Sequence, residues 1–347
     1  MSVQTTRRLT LLQLFSQLDA FHSSPNARPL HIFTVFPRID IESMSQFARK
    51  AGAGAVVERQ DGNLYTLRIL SARKRQHAYG YLIDHGKYWH ILIRTVESPT
   101  VAGNVAKLWL KRLYPVVCRA YAKSEDLLTI MDALAKTEES KLGLRGYILR
   151  AHDAPETMKK WPRDKPYSRE EIERVIQREN KLLDAVDFVF QVRATSFNVR
   201  IDNKGHFVFY KGGPDCFSNF YRLVLSRFDE IALMNRKFFS NRERRILDGE
   251  AEISKISLNP TKSLTKNDLQ NLSMHLGMSY STAVLHSGNP WLSMNVIDRG
   301  DGSSFDIYGY SSELQVVPFN KASPESLMRL IYNICEIFPL AKIAQPT

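Results

Sequence analysis

A short basic segment in the first third of the chain has the residue types that bind phosphate. Arg73, Lys74 and Arg75 stand together, His77 follows, and two tyrosines occupy positions 79 and 81. Guanidinium groups fork to phosphate oxygens, and tyrosine rings stack on unpaired bases. The segment therefore predicts a phosphate-binding hairpin loop, with a simple solvated turn as the alternative.

The strands predicted on either side of this loop carry further cations. Two-residue alternation predicts that Arg68, His90 and Arg94 share the sheet face opposite Trp89 and Ile91. A sheet face of arginine and aromatic residues is a known platform for nucleic acid. The alternative is the polar outer face of any half-buried sheet.

Two more clusters extend the basic character of the chain. Lys107, Lys111 and Arg112 lie on one predicted helix, where four-residue spacing aligns the lysines along a stripe that suits either a phosphate backbone or water. A later cluster interleaves cations with two phenylalanines, a composition suited to flexible single strands. Its candidate binding residues are Arg236, Lys237, Arg242, Arg244 and Arg245.

No catalytic or metal-binding motif is complete in the sequence. Residues 85–87 read His-Gly-Lys, but Leu92 stands where the HxK pattern requires aspartate. Residues 139–141 read Glu-Ser-Lys, an ExK spacing found in metal-dependent nucleases, at what the pattern indicates is a helix end. The nine histidines show no zinc-ligand spacing. We therefore predict no catalytic residue, metal or cofactor from motifs.

The positive charge is concentrated in two segments. The formal net charge is +12. Residues 61–123 carry 11 Lys and Arg against 3 Asp and Glu, and residues 186–247 carry 11 against 6. Residues 248–347 carry 7 against 10 and are mildly acidic. Charge that served solubility alone would be spread evenly, so the distribution favours a polyanion-binding surface.

The remaining composition is that of an ordinary folded protein. Hydrophobic residues make up 44% and charged residues 24%, which argues against wholesale disorder. The sequence has no apolar run long enough to span a membrane, and its three cysteines lie far apart. We expect a cytoplasmic protein with free thiols and no membrane partner.

The order of strand, turn and helix signals predicts a mixed α/β protein of the α+β type. We expect antiparallel β-meanders, each followed by an amphipathic helix, in two lobes. Helices that start near Pro99, Pro214 and Pro324 and end on an aromatic residue suggest an internal repeat. The proline-rich stretch 151–168 predicts a linker between a basic domain, 1–150, and a second domain, 169–347, basic only to about residue 247.

These features predict a non-enzymatic protein that binds the phosphates of DNA or RNA. Two alternatives stay open. Catalytic carboxylates need not be close in the chain, so a metal-dependent nuclease or other nucleic-acid enzyme with a dispersed site is one. The other is a subunit of a nucleoprotein assembly, such as one in genome defence. Its C-terminal region, with Trp291, Tyr308, Tyr310 and Phe319, would bind a protein partner or a second copy of the chain.

Overall fold

The structure is a computed structural model that describes most of the 347 residues. The described residues are 8–24, 26–37, 39–50, 54–70, 77–94, 99–113, 117–122, 124–150, 157–162, 165–179, 182–226, 228–229, 255–286, 291–299, 302–319, 322, 324–338 and 340–344. The chain divides into two compact units. Unit 1 comprises Met1–Arg150 and Glu156–Leu233, and unit 2 comprises Ala151–Pro155 and Met234–Thr347.

Unit 1 contains one antiparallel sheet. Its strands are β1 (Leu30–Pro37), β2 (Ala55–Arg59), β3 (Leu64–Leu70), β4 (His77–Asp84), β5 (Trp89–Arg94), β6 (Val117–Arg119), β7 (Ser140–Arg150), β8 (Thr157–Lys160), β9 (Leu182–Val192), β10 (Thr195–Asp202) and β11 (His206–Gly212). Within the described residues, the strand order is β2-β3-β4-β5-β1-β11-β10-β9-β7-β8, and β6 also pairs with β1.

The helices of unit 1 connect these strands. They are α1 (Leu11–His22), α2 (Ile41–Lys50), α3 (Pro99–Leu113), α4 (Ser124–Ala135), α5 (Arg169–Glu179) and α6 (Cys216–Phe220), and α6 continues as a π-helix over Tyr221–Leu225. Sequence signals account for several boundaries. Thr10 and Gln13 form a capping box that starts α1. The strand–helix passages predicted near Pro99 and Pro214 correspond to α3 and α6.

Each face of the unit 1 sheet is packed by different helices. Alternate residues of β1, β3, β4 and β5, such as Phe33 and Ile91, form a buried cluster with Trp109 and Leu113 of α3. We call this side the covered face. On the opposite side, a buried cluster of phenylalanines packs β9–β11 against α6. Asp19 of α1 accepts a hydrogen bond from the Phe217 amide and so fixes α1 to the start of α6.

The described residues of unit 2 form a second antiparallel sheet and two helices. Its strands are β12 (Ile256–Pro260), β13 (Tyr280–His286), β14 (Leu292–Asp298), β15 (Ser304–Gly309), β16 (Leu314–Pro318) and β17 (Leu340–Ala344), and its helices are α7 (Lys266–Ser279) and α8 (Pro324–Ile337). The strand order among the described residues is β13-β14-β15-β16-β12-β17. Leu258, Met294 and Ile307 lie on one buried face of this sheet, and Leu330 of α8 is buried with them.

The predicted fold class is confirmed. Three antiparallel meanders occur, β2–β5, β9–β11 and β13–β16, and each is followed by a helix. The repeat differs from the one the helix spacing suggested. The element order β-α-β-β-β-β-α-β runs from β1 to β6 and again from β12 to β17, with the same strand order and antiparallel pairing. The middle meander has three strands and does not match.

Three local expectations differ from the structure. Strands β9–β11 join the sheet of β1–β7, so the two units divide near residue 233 and not within 151–168. The apolar pattern of residues 188–201 predicts one strand, but the structure has a hairpin there, because Arg193 adopts a positive φ of 52° between β9 and β10. Ser140 begins β7 and does not end a helix.

Two further features bear on the environment of the protein. No helix within the described ranges is long and apolar enough to cross a membrane. Cys216 is buried as a free thiol, and burial raises the pKa of its thiol to about 12.

Candidate nucleic-acid interface

Three side chains form a row across β3, β4 and β5. Arg68 is the register partner of Tyr79, and Tyr79 is the register partner of Arg94. Paired residues in antiparallel strands point to the same side of a sheet, so all three lie on the face opposite the covered face. The Arg68 guanidinium carbon lies 5.6 Å from the centre of the Tyr79 ring. The row therefore alternates charge and aromatic ring. Arg68 and Arg94 share one face, as the two-residue alternation predicts, and Tyr79 lies between them.

More residues of the same strands share this side, which we call the open face. His77 and Arg68 are exposed, Tyr79 is 43% exposed, and Tyr81 is half-buried. The His77 and Tyr79 rings meet edge to face, with centroids 6.4 Å apart. Glu58 of β2 is an acidic residue on this face, opposite Thr66. The open face thus offers aromatic rings and cations together to solvent.

Arg94 stands where the open face meets α1. Its guanidinium carbon lies 5.0 Å from the centre of the Phe21 ring. Burial lowers the pKa of His22 to about 4, and the charge of Arg94 contributes in the same direction. Arg94 therefore packs against α1 through the Phe21 ring.

The predicted helix residues lie on the other side of the sheet. Helix α3 packs on the covered face, and Lys107 and Arg112 are exposed on its outer surface. Burial raises the pKa of Asp202, but the hydrogen bond from His206 and the charges of Arg119 and Lys107 lower it to about 2. The charge of Lys107 therefore interacts with a carboxylate of the protein itself. Lys107 and Arg112 therefore lie on the opposite side of the sheet from the open face. The predicted cations of α3 and those of β3–β5 do not form one continuous surface.

The other predicted binding residues fall outside the described part of the structure. This holds for Arg73, Lys74 and Arg75 between β3 and β4, and for the side chain of Lys111. It also holds for the second basic cluster: Arg236, Lys237, Arg242, Arg244 and Arg245. Their role in phosphate binding stays a prediction.

A hydrogen-bonded network of histidine, tyrosine and aspartate lies further along the same strands. His90 is fully buried, with Nε2 2.9 Å from Asp229 Oδ1 and Nδ1 3.0 Å from the Tyr221 hydroxyl. The Tyr221 hydroxyl is also 2.9 Å from His85 Nε2, which lies 3.2 Å from His90 Nδ1. Tyr88 donates to Asp229 Oδ2 at 2.7 Å. His85, Tyr88, Tyr221 and Asp229 each keep part of their surface exposed.

The π-helix determines where Tyr221 enters this network. Tyr221 is the first residue of the π-helical turn that follows α6. π-Helical turns are rare in proteins as a whole, but those that occur are often at functional sites, where the wider turn redirects a side chain. The Phe15 ring packs 4.7 Å and the Phe217 ring 6.2 Å from the Tyr221 ring, centre to centre. The phenol is thus held in one direction by packing on both α1 and α6.

Burial is the largest cause of the pKa shifts of His85, Tyr88 and Tyr221. It lowers the pKa of His85 to about 4, with a further contribution from His90, so His85 is neutral at pH 7. Burial also raises the pKa of Tyr221, and Asp229 and Tyr88 add to this effect. For Tyr88, burial and the hydrogen bond to Asp229 raise the pKa. Both phenols therefore stay protonated at neutral pH.

Sequence motifs did not reveal this network. Tyr88 and His90 are 131 to 141 residues from the partners that they contact, Tyr221 and Asp229, so no short pattern contains the network. In the sequence, His85 belongs only to the incomplete HxK pattern at residues 85–87. Within the described residues, no group of three or more His, Cys, Asp or Glu is arranged to hold a metal ion.

Comparison with known proteins adds no family. No protein-family model matches this chain, and no curated protein matches it.

Proposed function

We propose that this protein binds single-stranded nucleic acid on the open face of β3–β5. The observation that carries the proposal is the row Arg68–Tyr79–Arg94, in which an exposed tyrosine lies between two arginines. Aromatic rings stack on any unpaired base, and flanking arginines bind the phosphates on either side. A paired duplex hides its base faces, so stacking on Tyr79 selects a single strand.

The distribution of charge supports the same proposal. The segment 61–123 that contains the row has the largest excess of cations in the chain. Binding that depends on phosphate contacts releases counterions and weakens as salt rises. We extend the proposed surface to Arg73, Lys74 and Arg75, which connect β3 to β4 in sequence, and assign the protein to the cytoplasm, where its free buried thiol would remain reduced.

A salt titration of binding tests the proposal. Fluorescence anisotropy with labelled single-stranded DNA, single-stranded RNA and duplex DNA measures affinity from low to physiological salt. We expect single strands to bind more tightly than duplex. Arg68→Ala and Arg94→Ala should each reduce the slope of log affinity against log salt by about 0.7. Tyr79→Ala should weaken affinity about 5- to 150-fold, the equivalent of 1–3 kcal/mol of stacking, with the slope unchanged.

The matched control is Tyr308→Ala in unit 2. Tyr308 lies at the centre of a similar row on β15, but its register partners Ser293 and Gln315 are uncharged. Its removal should leave affinity and slope unchanged. If the slope of log affinity against log salt is unchanged in the Arg68→Ala, Arg94→Ala double variant, the cations that bind phosphate lie elsewhere. A slope lost only in the Arg73, Lys74, Arg75 triple alanine variant would move the site to the loop.

A further inference from the structure

We propose that Tyr221 is a nucleophile that cleaves a nucleic-acid strand by forming a covalent phosphotyrosine bond, with His90 as its general base. The inference rests on the proposed binding to single strands. It adds a reaction to that function and identifies the atoms that carry it out.

The hydrogen-bond pattern determines where the protons lie. The Asp229 carboxylate only accepts, so His90 Nε2, 2.9 Å away, carries the hydrogen and donates it. His90 Nδ1 is then an acceptor and takes the hydrogen bond of the Tyr221 hydroxyl at 3.0 Å. Carboxylate, imidazole and hydroxyl follow one another as in a nucleophile–base–orienting triad, with tyrosine as the nucleophile. His85 Nε2, 2.9 Å from the same hydroxyl, remains available as a donor.

The chemistry requires a base at this position. The pKa of Tyr221 is raised by burial, so its phenol is protonated at neutral pH and is a poor nucleophile alone. His90 Nδ1 is placed to remove that proton as the phenol attacks. The Asp229 carboxylate at the other ring nitrogen stabilises the imidazolium that forms. Asp229 is therefore a positioning residue for His90, and Tyr88 in turn holds its second oxygen.

The step balances without any further reagent. The Tyr221 oxygen forms a bond to phosphorus, and the bond from phosphorus to the neighbouring sugar oxygen breaks. The phenol proton passes to His90 Nδ1, and the leaving sugar oxygen takes a proton from water. His85 Nε2 can donate to a phosphoryl oxygen as charge develops there. Reversal of the step rejoins the strand, since the phosphodiester energy is kept in the phosphotyrosine bond.

The position of the network suits a strand bound on the open face. His90 and Arg94 lie on the same side of β5, four residues or about 13 Å apart. Leu92, paired with Tyr81, lies between them on that side. Leu92 and His90 are fully buried, so a strand held by Arg68, Tyr79 and Arg94 would not follow β5 to His90 itself. His85, Tyr88, Tyr221 and Asp229 are partly exposed, and a bound strand would meet the network at these residues.

Trapping of the covalent product tests the inference. The full chain is incubated with single-stranded DNA or RNA labelled at one end or the other, denatured, and separated by gel electrophoresis. We expect a labelled protein adduct that mass spectrometry locates at Tyr221. Tyr221→Phe should abolish the adduct, and His90→Ala should slow its formation at least about a hundredfold. Tyr167→Phe is the matched control. Tyr167 also donates to a carboxylate, Asp132 at 2.8 Å, but lies outside the network, so the adduct should form as in the wild type.

A pH profile separates positioning from a structural role for Asp229. Asp229→Asn should move the acid limb of the rate of adduct formation to lower pH, because the imidazolium loses its counter-charge. A variant that merely loosened the fold would lower the rate at every pH alike, and that result would overturn the role given to Asp229.

Anisotropy on the same samples distinguishes the two proposals. Binding of single strands by wild type and by Tyr221→Phe, with no adduct in either, overturns the inference and leaves the proposed function intact. An adduct at another residue also overturns it. Absence of binding in the wild type overturns both.

Discussion

Units 1 and 2 contain the same arrangement of eight elements, from β1 to β6 and from β12 to β17. In both, the third strand of the meander carries Tyr-Gly-Tyr, at residues 79–81 and 308–310. The first tyrosine lies at the centre of the face opposite the helices, and the glycine faces the core. The likeness of the two sheets therefore extends to the tyrosine at the centre of one face and the glycine beside it on the other.

The two sheets differ in what surrounds that tyrosine. Arg68 and Arg94 flank Tyr79 in unit 1, whereas Ser293 and Gln315 flank Tyr308 in unit 2. Unit 2 keeps an arginine in its core instead, where Arg329 forms an ion pair with Asp298. The same arrangement of strands and helices thus presents arginines beside the exposed tyrosine in unit 1 and uncharged residues there in unit 2, so the fold does not by itself determine the binding surface.

Removal of the buried arginine should have the largest effect on stability. Arg329 Nη2 lies 2.5 Å from Asp298 Oδ2, and both side chains are less than a tenth exposed. Arg329→Ala leaves the carboxylate without this counter-charge, so we expect a loss of about 3–5 kcal/mol in the free energy of unfolding. Urea unfolding, monitored through hydrogen exchange of the amides of unit 2, measures this loss of stability. Arg68→Ala should change stability by no more than about 0.5 kcal/mol, and an equal loss in both variants would contradict the distinction.

The two glycines should respond unequally to alanine. A Cβ on Gly80 would overlap the backbone carbonyl of Leu92, whereas one on Gly309 would meet the Leu269 side chain at 2.8 Å. A side-chain end can move and a paired strand cannot. We expect Gly80→Ala to cost about 3 kcal/mol and Gly309→Ala about 1 kcal/mol, by analogy with overpacked cores. Thermal unfolding of the two variants checks the order, and a larger loss from Gly309→Ala would contradict it.

Acid should destabilise unit 1. The folded pKa of His22 is lowered to about 4 against 6.5 when unfolded, so the unfolded chain binds the extra proton between these values. Stability is full above pH 6.5 and is lost as pH falls toward 4, by at most about 3 kcal/mol for this group. His85 contributes with the same sign. Urea midpoints at pH 7 and 4.5, with His22→Gln as the comparison, measure the effect. A midpoint that rose in acid would refute the sign.

Transfer of the charged row should give unit 2 a weak binding surface. Ser293→Arg with Gln315→Arg places two cations around Tyr308, in the arrangement that Tyr79 has. In a background of Arg68→Ala and Arg94→Ala, we expect the salt slope to recover by about 1.4 and affinity to rise about three- to tenfold. Anisotropy with single-stranded DNA measures both. No recovery would mean that the row in unit 1 depends on neighbours that unit 2 lacks.

Much of the fold was predictable because its signals are local. Two-residue alternation around Arg68 and Arg94 placed both on one face, and proline near 99 and 324 marked the starts of α3 and α8. The hairpin at Arg193 was not predictable, since Arg-Ala is no turn signal and the surrounding sheet imposes the positive φ. The tripeptide Tyr-Gly-Tyr occurs at residues 79–81 and 308–310 of the sequence. Only the matching strand order shows that the two copies occupy equivalent positions of a structural repeat.

The α+β class, the amphipathic strands and helices, and the shared sheet face of Arg68 and Arg94 follow from the sequence alone, because each depends on the periodicity of residues along single elements. Tertiary packing places α3 and its cations on the opposite face of the sheet from the row of Arg68, Tyr79 and Arg94. It alone brought His85 and His90 to Tyr221 and Asp229, since burial of the phenylalanine core positions the π-helix over β5 and no local pattern encodes a contact between residues more than 130 positions apart.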